Sequence, residues 1–139
     1  MQLVLITLDG VKASEDVYEV LVPTPDGVIA VFPGHERIVT LAVNGVISVR
    51  HKKSDPDTQM EHYATFGGVV EISPTKLRIL VDAADTADEI VEEEAKAAYD
   101  RAVKMRESVK DLQELEKARA EIDRYAVRLK VAGLRRHKR

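Results

Sequence analysis

The chain contains no cysteine and no tryptophan. It therefore holds no disulfide, no thiolate metal site and no cysteine nucleophile. Aromatic residues are only 4% of the chain while hydrophobic residues make up 45%, so any core must be aliphatic. Long apolar runs are missing too. The longest, such as Val28 to Phe32, fall well short of the roughly 18 residues a transmembrane helix needs. Residues Met1 to Asp9 lack the basic start and small-residue cleavage site of a signal peptide, and a soluble, intracellular protein is expected. Neither charge sign dominates, with 21 Lys and Arg against 24 Asp and Glu giving a net charge of −3 over 139 residues.

What is present divides unevenly along the chain. Met1 to Ala83 carries all five Pro, six of the seven Gly, seven Lys/Arg and eleven Asp/Glu. From Ala84 onward there is no Pro, a single Gly (Gly133), fourteen Lys/Arg and thirteen Asp/Glu. A break this sharp predicts two structural units, a β-sandwich over 1–84 and a two-helix hairpin over 85–139. In the first, candidate strands are Leu3–Leu8, Tyr18–Val22, Val28–Phe32, Ile38–Val43, Val46–Arg50, Gln59–Thr65, Val69–Ile72 and Leu77–Val81. Turn signals separate them: Asp9-Gly10, Pro23 to Gly27, Pro33-Gly34, Asn44-Gly45 and Ser54 to Asp57. Asn44-Gly45 between two apolar runs is the strongest hairpin signal.

In the second unit, Thr86 to Glu89 has the form of a capping box, with Glu92, Glu93 and Glu94 at the positive end of a first helix. A break at 107–110 is followed by a second helix from about Asp111 to Ala132, with Gly133 as its C-terminal cap. Its apolar stripe is Leu112, Leu115, Ala118, Ile122, Tyr125, Ala126, Leu129 and Ala132. The first helix offers an Ala-rich face suited to close approach, and the pair forms an antiparallel hairpin. Narrow stripes and charged outer faces leave such a hairpin marginally stable without a partner.

Chemistry-bearing motifs are sparse. There is no phosphate loop, no Gly-x-Gly-x-x-Gly and no His-Glu-x-x-His, and His35, His51, His62 and His137 show no metal-ligand spacing. Asp55 and Asp57 flank Pro56 without the later Gly and Glu of a calcium loop, and read as a solvated turn. Asp26, His35 and Glu36 are the most enzyme-like group, but a general base needs a partner and a pocket, and a structural or interface role is preferred. Gly67-Gly68 reads as a bulge or tight turn in preference to an anion cradle. Arg124 to Arg139 holds seven cations and no acid. It suits either a helix end favoured by its dipole or a prong aimed at an acidic protein surface. Nucleic acid is disfavoured because the chain as a whole is acidic. A membrane-surface helix is disfavoured because its apolar face lacks Trp and Phe.

One ordered set of segments resembles a known family. Asp26-Gly27-Val28-Ile29-Ala30-Val31-Phe32-Pro33-Gly34-His35, then Gly67-Gly68-Val69-Val70-Glu71, then Lys76-Leu77-Arg78-Ile79-Leu80-Val81-Asp82-Ala83, resemble the epsilon subunit of F-type ATP synthases. The resemblance covers essentially the whole chain. It implies a fold of an all-β N-terminal sandwich followed by a C-terminal antiparallel α-helical hairpin. It also implies a non-catalytic rotor subunit, with no cofactor or metal, whose sandwich binds the gamma shaft and the c-ring. The hairpin then extends toward the alpha and beta subunits to block ATP hydrolysis. The expected gamma and c-ring contacts are Val28, Phe32, Pro33, Gly34 and His35; those to beta are Arg119, Arg124 and Arg128. The expected place is the cytoplasmic face of the plasma membrane, peripherally, in a bacterium in preference to an organelle.

The sequence departs from the family pattern at two points. Ala30 stands where a second Gly is usual. The ATP-sensing motif Ile/Leu-Asp-x-x-Arg-Ala corresponds here to Ile90 to Ala95, with Val91 in place of the Asp and Glu94 in place of the Arg. Three consecutive acids there would repel a triphosphate, so no useful ATP binding is expected. Rival readings are a regulatory ATP-sensing module and an unrelated sandwich and coiled-coil adaptor.

Overall fold

The computed structural model describes residues 1–138. Eight strands come first: β1 (Gln2–Thr7), β2 (Gly10–Asp16), β3 (Glu19–Thr24), β4 (Gly27–Val31), β5 (Ile38–Ala42), β6 (Gly45–Arg50), β7 (Glu61–Ile72) and β8 (Lys76–Thr86). Helices α1 (Glu92–Ser108) and α2 (Leu112–Lys138) follow. Hydrogen bonding joins the strands in the order β2-β1-β8-β7-β6-β3-β4, with β5 on β7. All pairs are antiparallel except β1 with β8.

The sandwich arises because β7 and β8, of 12 and 11 residues, serve both layers. Residues 68–72 of β7 and 76–80 of β8 pair with β5 and β1, while residues 61–65 of β7 pair with β6, which leads to β3 and β4. Their inner faces enclose Leu3, Leu5, Val20, Val22, Val31, Ile47, Val49, Val70, Leu77 and Ile79, all 0% exposed. This is the aliphatic core that the composition requires.

Strand β7 passes between layers at Gly67 and Gly68, with φ of +53° and +154°. A Cβ on Gly68 would lie 1.9 Å from the Leu80 carbonyl oxygen, so the two long strands approach closely only because that side chain is missing. The glycine pair therefore joins the two strands expected at 59–65 and 69–72 into one.

The Asn44-Gly45 hairpin does not form. β5 and β6 do not pair with each other; both pair with β7 in one unchanged register, Ile38 opposite Ile72 and Gly45 opposite Thr65. Residues 38–50 thus form a single broken strand that bends alongside β7. Gly45 has no positive φ, and a Cβ there would lie 3.0 Å from the Pro23 ring. The Thr65 hydroxyl donates to the Gly45 carbonyl at 3.2 Å. The glycine serves close packing at a corner, where a primed turn would have needed left-handed backbone. Strand β2 carries almost no apolar signal because it is an outer strand, pairing with β1 alone and largely exposed.

The helical region also differs in detail. The Thr86–Glu89 capping box is present but closes a single 3-10 turn, Ala87–Glu89; α1 starts only after Val91, which offers no side-chain cap. Gly133 does not end α2, which runs on to Lys138. One interior glycine costs about 1 kcal/mol, too little to stop a long helix. α1 buries Ala95, Ala98 and Ala102, and α2 buries Ala118 and Ala132. Two members of the expected stripe, Leu112 and Ala126, are exposed. Val127 and Val131, outside it, pack with Ala64, Phe66, Val46, Ala83, Ala87 and Ile90 instead. Among the described residues no helix is long and apolar enough to cross a membrane.

Candidate interaction surfaces

The first surface follows from where β4, β5 and the loop between them lie. β4 ends the strand order and β5 pairs only with β7, so each offers an outer edge. Because alternate residues face opposite ways, the buried Ala42 puts Val39 and Leu41 outward, at 73% and 58% exposure. Val69, in register with Leu41, adds to this face. Val28, Phe32, Ile38 and Val43 are exposed too. A run of outward apolar side chains on chain edges is the feature expected of a protein interface.

The loop is well held. Phe32 packs edge-on against Tyr18 with ring centroids 5.5 Å apart. The Gly34 N–H donates to the Pro74 carbonyl at 2.8 Å from a φ of +86°, and the His35 N–H donates to the Phe32 carbonyl at 3.2 Å. His35 Nδ1 donates to the Glu36 carbonyl at 2.8 Å, leaving Nε2 for a partner. Val28, Phe32, Pro33, Gly34 and His35 are thus held on one stretch of chain, with His35 half-buried and the others exposed. The enzyme-like trio does not assemble, since Asp26 is exposed in the β3–β4 turn and the His35 ring is engaged locally. The Asp55–Asp57 turn serves Arg50, whose guanidinium bonds Glu19 at 2.8 Å, Asp57 at 2.5 Å and the Asp55 carbonyl.

The second surface is where α2 meets the sandwich. Arg119 and Arg124 are exposed, and Arg128 is half-buried. Arg128 Nε donates to Asp85 Oδ2 at 3.0 Å, and its guanidinium lies 4.9 Å from the Phe66 ring and 5.4 Å from that of Tyr125. Arg124 lies 5.5 Å from the same Phe66 ring. Two of the three arginines therefore cover Phe66, while Arg119 stands apart. Side chains of the basic end from residue 135 onward lie outside the described residues. An open cleft of about 520 Å³ beside this contact is lined by Asp85, Glu89, Glu94, Arg101, Tyr125 and Arg128 among others. Lys12 Nζ reaches across from β2 to Glu89 at 2.7 Å. That hydrogen bond, more than any other cause, holds the Glu89 carboxyl below its ordinary range. Neither Lys12–Glu89 nor Arg128–Asp85 carries a local sequence signal, since folding alone brings these residues together.

Comparison with known proteins agrees with this architecture. Residues 1–87 match the family model for the ATP synthase delta/epsilon chain β-sandwich domain. The ATP synthase epsilon chain of Herpetosiphon aurantiacus is 38% identical, covering 99% of this chain and 98% of that one. Its counterpart in Bacillus velezensis is 36% identical over 93% of this chain and 94% of its own. Among solved structures, a chain of the Euglena gracilis mitochondrial ATP synthase OSCP/F1/c-ring assembly superimposes with a TM-score of 0.80 at 21% identity, covering 94% of this chain and 79% of that one. A chain from the Tetrahymena thermophila mitochondrial ATP synthase central stalk and c-ring gives 0.59 at 13% identity, with 95% and 96% covered.

Proposed function

The chain belongs to the ATP synthase delta/epsilon family and is a non-catalytic, epsilon-type subunit of the central stalk; on that premise we propose how its work is divided. The sandwich is the clamp. Val28, Phe32, Pro33, Gly34 and His35 meet the gamma subunit and the c-ring, and the outward Val39 and Leu41 extend the same contact. The observation that carries this reading is the set of exposed apolar side chains between Val28 and Val43, namely Val28, Phe32, Ile38, Val39, Leu41 and Val43, at two sheet edges and the turns beside them. The rigid loop around Gly34 keeps that surface in shape, so little ordering entropy opposes binding.

The helical hairpin that follows β8 is the brake on ATP hydrolysis. Its attachment to the sandwich is small: Phe66, Ala64 and Val131 form the buried centre, with Arg128 and Asp85 beside it. A contact of this size can open at modest cost. Opening frees Arg124 and Arg128 from Phe66 and aligns them with Arg119 for acidic groups on the beta subunit. The protein sits peripherally on the cytoplasmic face of the membrane as part of a membrane-associated complex.

The test adds full-length protein, or a truncation after Thr86 that keeps β8 whole, to an epsilon-free alpha-beta-gamma assembly. Gamma binding and ATP hydrolysis are recorded together. Both forms bind and only the full chain slows hydrolysis if clamp and brake are separate units. Binding by both without inhibition by either removes the brake, and failure of both to bind a matched gamma removes the clamp.

A further inference from the structure

Glu15 on β2, His51 just beyond β6 and Glu61 at the start of β7 are scattered in sequence but converge at one corner of the sandwich. His51 Nε2 lies 3.1 Å from Glu61 Oε2, and His51 Nδ1 lies 3.7 Å from Glu15 Oε2. One ligand-type atom from each of the three lies within 4.8 Å of the other two. The side chains are about one-third exposed, at 36%, 33% and 40% for Glu15, His51 and Glu61. A neutral imidazole has one N–H and one lone pair, so carboxylates at both nitrogens leave one of them facing a lone pair. A second proton or a cation resolves that opposition.

The surroundings favour a cation. Glu61 Oε1 accepts from the Tyr63 hydroxyl at 2.9 Å, which turns Oε2 toward His51. Tyr63 is only 4% exposed. A buried hydroxyl that orients a carboxylate is the support metal-ligating carboxylates commonly have. His51 and Glu61 also border an open cleft of about 450 Å³, shared with His62, Asp88, Val131 and Leu134, which provides an entry path and room for water.

We propose that Glu15, His51 and Glu61 form a binding site for a divalent first-row transition cation of the zinc type, taking one imidazole nitrogen, two carboxylates and a water. One nitrogen with two oxygens suits a borderline cation better than magnesium or calcium, which prefer oxygen alone. Tetrahedral zinc places its ligand atoms about 3.3 Å apart, as follows from bond lengths of about 2.0 Å. The Glu61–His51 separation already fits, and the part-exposed Glu15 swings in to complete the set. The ion would join β2, in one layer, to β6 and β7 in the other. None of the three ligands belongs to the clamp surface or to the helices, although the cleft they border reaches Val131 on α2.

The probe is ZnCl2, titrated calorimetrically into the untagged full-length chain at neutral pH, with thermal melts of the same samples. The expected result is one saturable site and a raised Tm. In His51→Gln both the binding and the Tm rise disappear, whatever that variant's Tm without zinc. Tyr63→Phe keeps the fold and weakens binding about tenfold, and a Mg²⁺ titration gives no site. No saturable binding at up to about 1 mM zinc, or binding undiminished in His51→Gln, overturns the proposal. The first outcome leaves the cluster as a proton-bridged ion pair, and the second moves the zinc to other histidines.

Discussion

A single missing atom decides how closely β7 and β8 approach. Gly68→Ala places a methyl group 1.9 Å from the Leu80 carbonyl oxygen in a backbone region that L-residues avoid, so the strands must part. We expect a loss of more than about 3 kcal/mol, or no folding. Gly10→Ala is the control: its φ is also positive, but nothing lies within 4 Å of the added atom, and the cost is about 1–2 kcal/mol. Urea melts compare the two, and equal losses would refute the steric account. Glu89 supplies a pH prediction. Its carboxyl is held below its unfolded value chiefly by Lys12, so its contribution is complete above the ordinary carboxylate range and is lost as pH falls through the lowered folded value. Glu89→Gln should therefore lower Tm at pH 7, and the difference should shrink as the pH falls below the ordinary carboxylate range, by melts at matched salt. Such side chains were visible in sequence as a turn glycine and a capping acid. Their partners, Leu80 and Lys12, were not, because contact between strands depends on register.

The decisive element is the far end of α2, where Val127 and Val131 turn away from the helical hairpin toward Phe66. Val131 is 0% exposed and Phe66 1%. Val131→Ala should cost about 1–2 kcal/mol. The loss should appear locally, as faster amide exchange across residues 124–134, while protection in β7 and β8 is unchanged. Uniform loss of protection throughout would instead make the helices and the sandwich one cooperative unit. Arg128→Ala should have a smaller effect on the same amides, since the Arg128–Asp85 pair is about one-quarter exposed and solvent weakens it. Helical periodicity predicts that α2 exists and that Ala118 and Ala132 are buried. It cannot divide one helix between two partners, because the hydrophobic stripe for a second contact overlaps the first. For the same reason Leu112 and Ala126 read as core although both are exposed.

For the molecule as a whole, electrostatics bears on the ATP-sensing alternative. The cleft between the Ala87–Glu89 turn and the helices brings Asp85, Glu89 and Glu94 together with Arg101 and Arg128, and Arg128 is already paired with Asp85. A triphosphate entering there meets more acid than available cation. Calorimetry of the full chain with ATP and Mg²⁺ should show no saturable binding at millimolar concentrations; a clear isotherm would restore that reading. The order of strands before helices and the aliphatic core follow from local composition and periodicity, which act within a few residues along the chain. The family resemblance was legible for a similar reason, as it rests on short segments in fixed order. Tertiary structure decided the rest. It made residues 38–50 a bent strand in place of a hairpin, folded Arg124 and Arg128 over Phe66, and gathered Glu15, His51 and Glu61 at one corner. Each of these depends on distant parts of the chain meeting across two sheet layers. That meeting is set by the register of β7 and β8 and the backbone freedom at Gly67 and Gly68, which no local pattern encodes.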